Sequence, residues 1–190
     1  AVPRYIQNFS RRRAILVSDD LRVGAALSPI LSRLGLTICQ KATAEGPIEL
    51  APAELDPCLD VILVDGDLPR MPVVPRAASG DAGPFVPVVG LVGVEAPSRL
   101  KTLLQIGATA FLAKPIHAGS VYSALYLAVN EHARKAELSG ALEVHEQRRR
   151  QRRFVIKAVL KVMQERGCDD DAAFVTAQGA LGPIHNGLRW

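Results

Sequence analysis

Four charged residues stand at the ends of short apolar runs. Asp19 and Asp20 close Ala14-Ile-Leu-Val-Ser18, Asp65 closes Val61-Ile-Leu-Val64, and Lys114 follows Ala110-Phe-Leu112. Two adjacent carboxylates with a third nearby are the oxygen ligands that a hard divalent ion such as Mg²⁺ takes. A carboxylate is also a nucleophile toward phosphorus, which makes Asp65 a candidate phosphoryl acceptor. A lysine beside it can neutralise charge developing on a phosphoryl group, as a point cation. The structural alternative is that acids at strand ends cap the next helix. For one acid the two readings are even; four charges in this order favour chemistry.

The elements that must position them follow from periodicity. Residues 14–18, 37–39, 61–64, 88–92 and 110–112 are short apolar runs that read as strands. A helical pattern runs through Val23, Leu27, Ile30, Leu31 and Leu34 and closes at Gly35, with Pro29 expected to bend or shorten it. A helical turn or two is expected before Pro57. Ser98–Ile106 is helical, with Gly107 as its C′ residue. From Pro69 to Pro87 the prolines and glycines forbid a long regular helix, so a long loop is expected there. Strands alternating with helical segments argue for a five-stranded parallel sheet with helices on both faces. In such sheets ligands sit at the carboxyl ends of the strands, which is where Asp19, Asp20, Asp65 and Lys114 fall.

These motifs resemble a response-regulator receiver domain over residues 14–118. Asp19-Asp20 match the acidic pair after the first strand. Asp65-Gly-Asp-Leu-Pro69-Arg-Met71 resembles the acceptor-aspartate segment, and Phe111-Leu-Ala-Lys114-Pro115 resembles the lysine-proline segment. The resemblance implies a flavodoxin-like fold, phosphorylation at Asp65, Mg²⁺ held by Asp19, Asp20 and Asp65, and a phosphate contact from Lys114. It also implies a sensor histidine kinase or a ligand-sensing regulatory protein as partner. The chain departs from the family at Val92, where a hydroxyl residue is usual, and in the Pro/Gly-rich loop that replaces the third helix.

A long helix is expected from Ser120 onward. Val121, Leu125, Ala128 and Val129 would pack on the sheet. Leu138, Leu142 and His145 share a face farther on, a thin coiled-coil seam interrupted by Gly140. Arg148, Arg149, Arg150, Arg152 and Arg153 put five arginines in six residues. On a helix these point in nearly every direction and form a collar of charge. Such a collar attracts phosphates without specifying sequence; the plain alternative is a solvated linker. Phe154, Val155, Ala158, Val159, Val162 and Met163 then recur at helical spacing, Gly167 stops the helix, and Asp169 caps a second one that ends at Gly182-Pro183.

This hairpin resembles the ANTAR module, an RNA-binding antitermination domain joined to receivers in regulators of the AmiR/NasT type. Val155, Ala158, Met163, Gly167 and Ala173-Phe174 carry the likeness. It implies that leader-RNA stem-loops are the partner, with Arg148–Arg153, Lys157 and Lys161 supplying charge and Phe174 or Trp190 available for stacking. The expected organisation is an N-terminal tail (1–13), a receiver-like domain (14–118), a connecting helix (119–152) and a small helical module (153–190).

Composition sets the outer bounds. The 190 residues are 48% hydrophobic and carry a net charge of +4. That excludes a wholly disordered or fibrous chain. No run is long and apolar enough to cross a bilayer or direct secretion. Cys39, Cys58 and Cys168 are isolated, as in a reducing compartment, so a cytoplasmic protein is expected. Residues 134–166 hold ten Lys/Arg and four Glu, a net of +6, which leaves −2 for the rest. Without an activated nucleophile–base pair, the chain is read as a non-enzyme. Three functions follow: an antiterminating response regulator that dimerises and binds RNA; a phosphoacceptor or pseudo-receiver docking and dimerisation module without RNA binding; and, last, DNA binding through the arginines.

Overall fold

The computed structural model describes residues 5–43, 46, 48–77, 83–93, 96–166, 172 and 175. The chain divides into two compact units, Ala1–Ser139 and Gly140–Trp190. The first holds a parallel sheet of β1 (Arg13–Val17), β2 (Thr37–Lys41), β3 (Asp60–Asp65), β4 (Val88–Val92) and β5 (Ala108–Ala113), in the order β2-β1-β3-β4-β5. All of β3 and β4 is buried, as an apolar, β-branched strand covered on both faces requires. Edge strand β5 shows an alternating pattern at its exposed end.

Among the described residues the α-helices are α1 (Leu21–Arg33), α2 (Pro97–Gln105) and α3 (Ala118–Arg166), the last with its first part in the sheet's unit. On one face Leu16, Leu63 and Leu91 pack with Leu27 and Leu31 of α1 and Val121, Leu125 and Ala128 of α3. On the other, Ile15, Val17, Ile62 and Val64 meet Leu103 of α2 and four loop residues, Leu50, Leu55, Leu68 and Val86. Each fully buried Leu or Val contributes about 2 kcal/mol before the entropy of ordering is subtracted. The loops on both sides of β3 thus do the covering that a helix would do, Leu50 and Leu55 from the one before it and Leu68 and Val86 from the one after it. Among the described residues the loop between β3 and β4 contains no helix, and the segment before β3 includes a 3₁₀ turn at Pro52–Glu54.

Helix ends follow the glycines. Leu34 and Ile106 are the C-caps of α1 and α2, and Gly35 and Gly107 come next with φ of 84° and 99°. A side chain at Gly107 would also collide with the Pro84 ring. Pro29 does not shorten α1, which continues to Arg33. Proline there forfeits one backbone bond, and the burial of Leu27 and Leu31 on either side outweighs it.

Two stretches bear on the extent of the first unit. The segment taken as an N-terminal tail is docked from Ile6 to Phe9. The Asn130 side chain accepts from Ile6 N–H at 2.7 Å and donates to Ile6 C=O at 3.0 Å, while Phe9 is buried edge-on against Tyr122. The units divide at Ser139/Gly140, a point that falls within α3. Its first part is core of the first unit, because Val121, Leu125, Ala128 and Val129 are buried there as their spacing indicates.

Candidate functional site

The strand order positions the site. From β1 the chain goes to β2 on one side and β3 on the other, and this reversal opens a crevice beyond the strand ends. The register Ala14↔Val61 to Val17↔Val64 brings the ends of β1 and β3 level. The backbone N–H of Lys114 donates to Val92 C=O at 2.8 Å, which sets the lysine at the same edge. The Lys114–Pro115 peptide is cis. Asp19, Asp20, Asp65, Asp67, Arg22 and Lys114 line one pocket, together with apolar neighbours. Four carboxylates against two cations leave it a formal −2.

Asp65 is buried and held at both oxygens. Lys114 Nζ and Asp67 N–H donate to Oδ1 at 2.7 and 3.0 Å, and Ser18 Oγ donates to Oδ2 at 2.7 Å. Lys114 Nζ lies equally close, 2.7 Å, to Asp67 Oδ2. Burial works against the lysine's charge, but the bonds to Asp65 and then Asp67 outweigh it and raise its pKa above the ordinary value. Asp67 is in turn held by Arg99 of α2, whose Nη1 donates to Asp67 Oδ1 at 2.7 Å and Gly66 C=O at 2.9 Å. The result is a chain of alternating charges, Asp65–Lys114–Asp67–Arg99.

The acidic pair is otherwise engaged. Asp19 accepts from the hydroxyl and the backbone N–H of Thr43, which hold it below the usual carboxylate range. Asp20 N-caps α1 by accepting from Arg22 N–H at 2.9 Å, so the capping role weighed for such acids is real here. Arg22 also pairs with it through its side chain, the main cause of its lowered pKa. Among the described residues no three His, Cys, Asp or Glu side chains are grouped as a ready metal site. Asp19, Asp20 and Asp65 therefore line the expected pocket without converging on one point. Their chemistry fits Mg²⁺, since a hard cation takes carboxylate oxygens and the pocket is net negative. Asp19, Asp20 and Asp65 are the residues that would hold it.

Val92 has no hydroxyl to offer and packs among Ile15, Val17 and Ile62. Sequence reasoning missed Ser18, Asp67 and Arg99. The signal for Ser18 was a hydroxyl inside an apolar strand run next to two acids. Asp67 lay two residues beyond Asp65, whereas nothing in the local sequence marked Arg99.

In the second unit, Arg148, Arg149, Arg150, Arg152, Arg153, Lys157 and Lys161 all lie on α3 and are exposed. Arg150 pairs with Glu146 one turn away at 3.7 Å. Val155, Ala158, Val159 and Met163 are half-buried, but Phe154 is 62% exposed. Phe154 sits at the edge of the face they form: it is one turn before Ala158 and about 40° from it, but about 100° from Val155 and about 140° from Val159. Leu138 and Leu142 are also exposed. Gly167, the cap at Asp169, Ala173, Phe174, Gly182-Pro183 and Trp190 lie outside the described residues.

No protein-family model matches the chain. It is 24% identical over 169 residues to the transcriptional regulatory protein PdtaR of Mycobacterium tuberculosis, across 89% of this chain and 82% of PdtaR. It is 34% identical over 103 residues to the swarming motility regulation protein RssB of Serratia marcescens, across 53% of this chain and 45% of RssB. Among solved structures, the response regulator StyR matches with a TM-score of 0.52 at 15% identity, over 87% of this chain and 88% of StyR. Strand order, register and the StyR likeness agree that the first unit has the flavodoxin-like fold of a response-regulator receiver domain.

Proposed function

We propose that this chain is a two-component response regulator that acts as a transcription antiterminator. Its receiver accepts a phosphoryl group at Asp65, and its C-terminal arm binds leader-RNA stem-loops. The observation that carries this reading is the ion pair of buried Asp65 with half-buried Lys114 at the sheet edge, on a chain that also exposes five arginines in six residues. The similarity to a transcriptional regulatory protein runs through the arm as well as the receiver, since it spans 89% of the chain.

Each group has a definite part. Asp65 is the nucleophile and Lys114 the cation that meets the phosphoryl oxygens. Asp19, Asp20 and Asp65 would hold Mg²⁺, which would supply neutralisation of phosphoryl charge in a pocket that is otherwise net negative. The phosphoryl group comes from a sensor histidine kinase; a ligand-sensing regulatory protein is the alternative source of control. Arg148, Arg149, Arg150, Arg152, Arg153, Lys157 and Lys161 contact RNA phosphates, and shape and stacking select the loops. The protein works as a cytoplasmic homodimer, which presents two arms to paired stem-loops, and it is not an enzyme beyond its own modification. Among the described residues no helix is long and apolar enough to cross a membrane.

Fluorescence anisotropy with a paired stem-loop RNA and an unstructured RNA of equal length tests the proposal. The full chain is expected to prefer the stem-loops and to lose that preference when residues 153–190 are removed. Weak binding that ignores RNA structure and survives the truncation overturns it. A second reading is a docking and dimerisation module without RNA binding, favoured by the missing hydroxyl at Val92 and the exposed Leu138 and Leu142. On that reading Asp65→Asn changes oligomeric state or partner binding and RNA has no effect.

A further inference from the structure

We infer that Ser18 sets the lifetime of the phosphoryl group on Asp65. The inference rests on Asp65 being the acceptor. Ser18 is the residue just before the acidic pair, and it is fully buried. Its backbone N–H is fixed to Lys41 C=O at 3.2 Å, and its Oγ accepts from Asp20 N–H at 3.1 Å while donating to Asp65 Oδ2 at 2.7 Å. With Val92 lacking a hydroxyl, Ser18 supplies the hydroxyl hydrogen bond that the acceptor carboxylate receives among the described residues.

The two oxygens of Asp65 are thereby made unequal. Oδ2 faces a buried hydroxyl, whereas Oδ1 shares Lys114, which lines the pocket. Oδ1 is the oxygen that attacks. Its electron pair forms the bond to phosphorus, the donor's bond from phosphorus to its leaving group breaks, and the leaving group keeps that pair. Oδ2 then changes from half of a carboxylate to the carbonyl oxygen of an acyl phosphate. A hydrogen bond to an ionised oxygen is roughly twice as strong as one to a neutral oxygen. Ser18 therefore stabilises Asp65 more before phosphorylation than after it.

The consequence appears in hydrolysis. Water attacks phosphorus, the Oδ1–P bond breaks, its electron pair returns to the carboxylate, the water proton is released and inorganic phosphate departs. Negative charge grows on the carboxylate as the bond breaks, and the Ser18 hydroxyl meets it. Ser18 is a positioning residue whose bond accelerates loss of phosphate. A purely structural role has the opposite sign: loosening a buried site admits water and shortens the lifetime.

The test uses the full chain phosphorylated with acetyl phosphate and Mg²⁺, freed of donor, with the decay of phospho-Asp65 followed on phosphate-affinity gels. Ser18→Ala is expected to lengthen the half-life about fivefold, part of the effect of one hydrogen bond to a charged group. Ser18→Thr, which restores a hydroxyl, is expected to return it toward wild type. If the added methyl prevents folding, Ser18→Cys serves instead, because it keeps the size but donates weakly, and it is expected to match Ser18→Ala. An unchanged or shortened half-life in Ser18→Ala overturns the inference and leaves the acceptor reading intact. So does a Ser18→Cys half-life equal to wild type. A wild-type chain that takes no phosphate at Asp65 overturns both.

Discussion

The sheet-edge pocket and the arginine collar are both dense in charge, but they organise it differently. In the pocket each charge has a fixed partner: Asp65 with Lys114, Asp67 with Lys114 and Arg99, Asp20 with Arg22, Asp19 with Thr43. Two of these charges are buried or nearly so, and a low-dielectric setting makes their geometry count. On the collar, successive arginines project from one exposed helix, and the ion pair at Arg150 spans 3.7 Å on the surface. Such a pair is worth little in stability. The lesson is that the first arrangement can hold one small group in one pose. The second can raise the local concentration of a polyanion and set little else.

Breaking the pocket is expected to cost most. Lys114→Met leaves Asp65 and Asp67 facing each other with no cation between them, and the expected loss is about 3 kcal/mol in urea unfolding. The Lys114→Met/Asp65→Asn pair is expected to recover most of it. The collar responds in the opposite sense. Changing Arg148, Arg150 and Arg152 together to Gln is expected to weaken RNA binding about tenfold near physiological salt and to flatten its salt dependence. It is expected to leave stability within about 0.5 kcal/mol, as for exposed sites in general. A collar variant that destabilised the receiver would dissolve the contrast.

Two smaller effects sharpen it. Asp20→Ala removes the α1 N-cap and is expected to cost about 1 kcal/mol in thermal unfolding. Asp20→Asn retains the cap, so a loss of Mg²⁺ response in that variant without a loss of stability would separate the two roles of Asp20. The smallest effect concerns His132, half-buried on α3. Burial, then the nearby charges of Lys135 and Arg12, hold its pKa below the ordinary 6.5. As pH falls below 6.5 the unfolded chain takes up the proton first, so stability declines until the folded pKa is passed and is level above 6.5. Melting temperature is expected to fall between neutral and mildly acidic pH, and to fall less in His132→Gln.

How much of this the sequence disclosed differs along the chain. Strands buried on both faces are continuous apolar runs, and β3 and β4 were legible because nothing else accounts for Val61–Val64 or Val88–Val92. The positions of Asp19, Asp20, Asp65 and Lys114 followed from them, since a residue just after a parallel strand has only one edge to occupy. What did not follow was the direction of each side chain. That Asp19 turns to Thr43 and Asp20 to Arg22 depends on loop geometry around residues 41–43 and on the first turn of α1, and neither has a periodic signature. Arg99 reaches Asp67 across thirty-two positions, a contact that periodicity cannot express. The docked segment at Ile6–Phe9 failed for a related reason. Its holding group, Asn130, is a single polar residue in a helix, and such a residue on its own reads as exposed.

The central claim is that the partnered charges of the pocket exist to receive phosphate at Asp65. Its most direct test is intact-protein and peptide mass analysis of the full chain after incubation with acetyl phosphate and Mg²⁺. One phosphoryl adduct per chain is expected, located at Asp65, dependent on Mg²⁺ and absent from Asp65→Asn. No adduct, or an adduct that persists in Asp65→Asn, would contradict it.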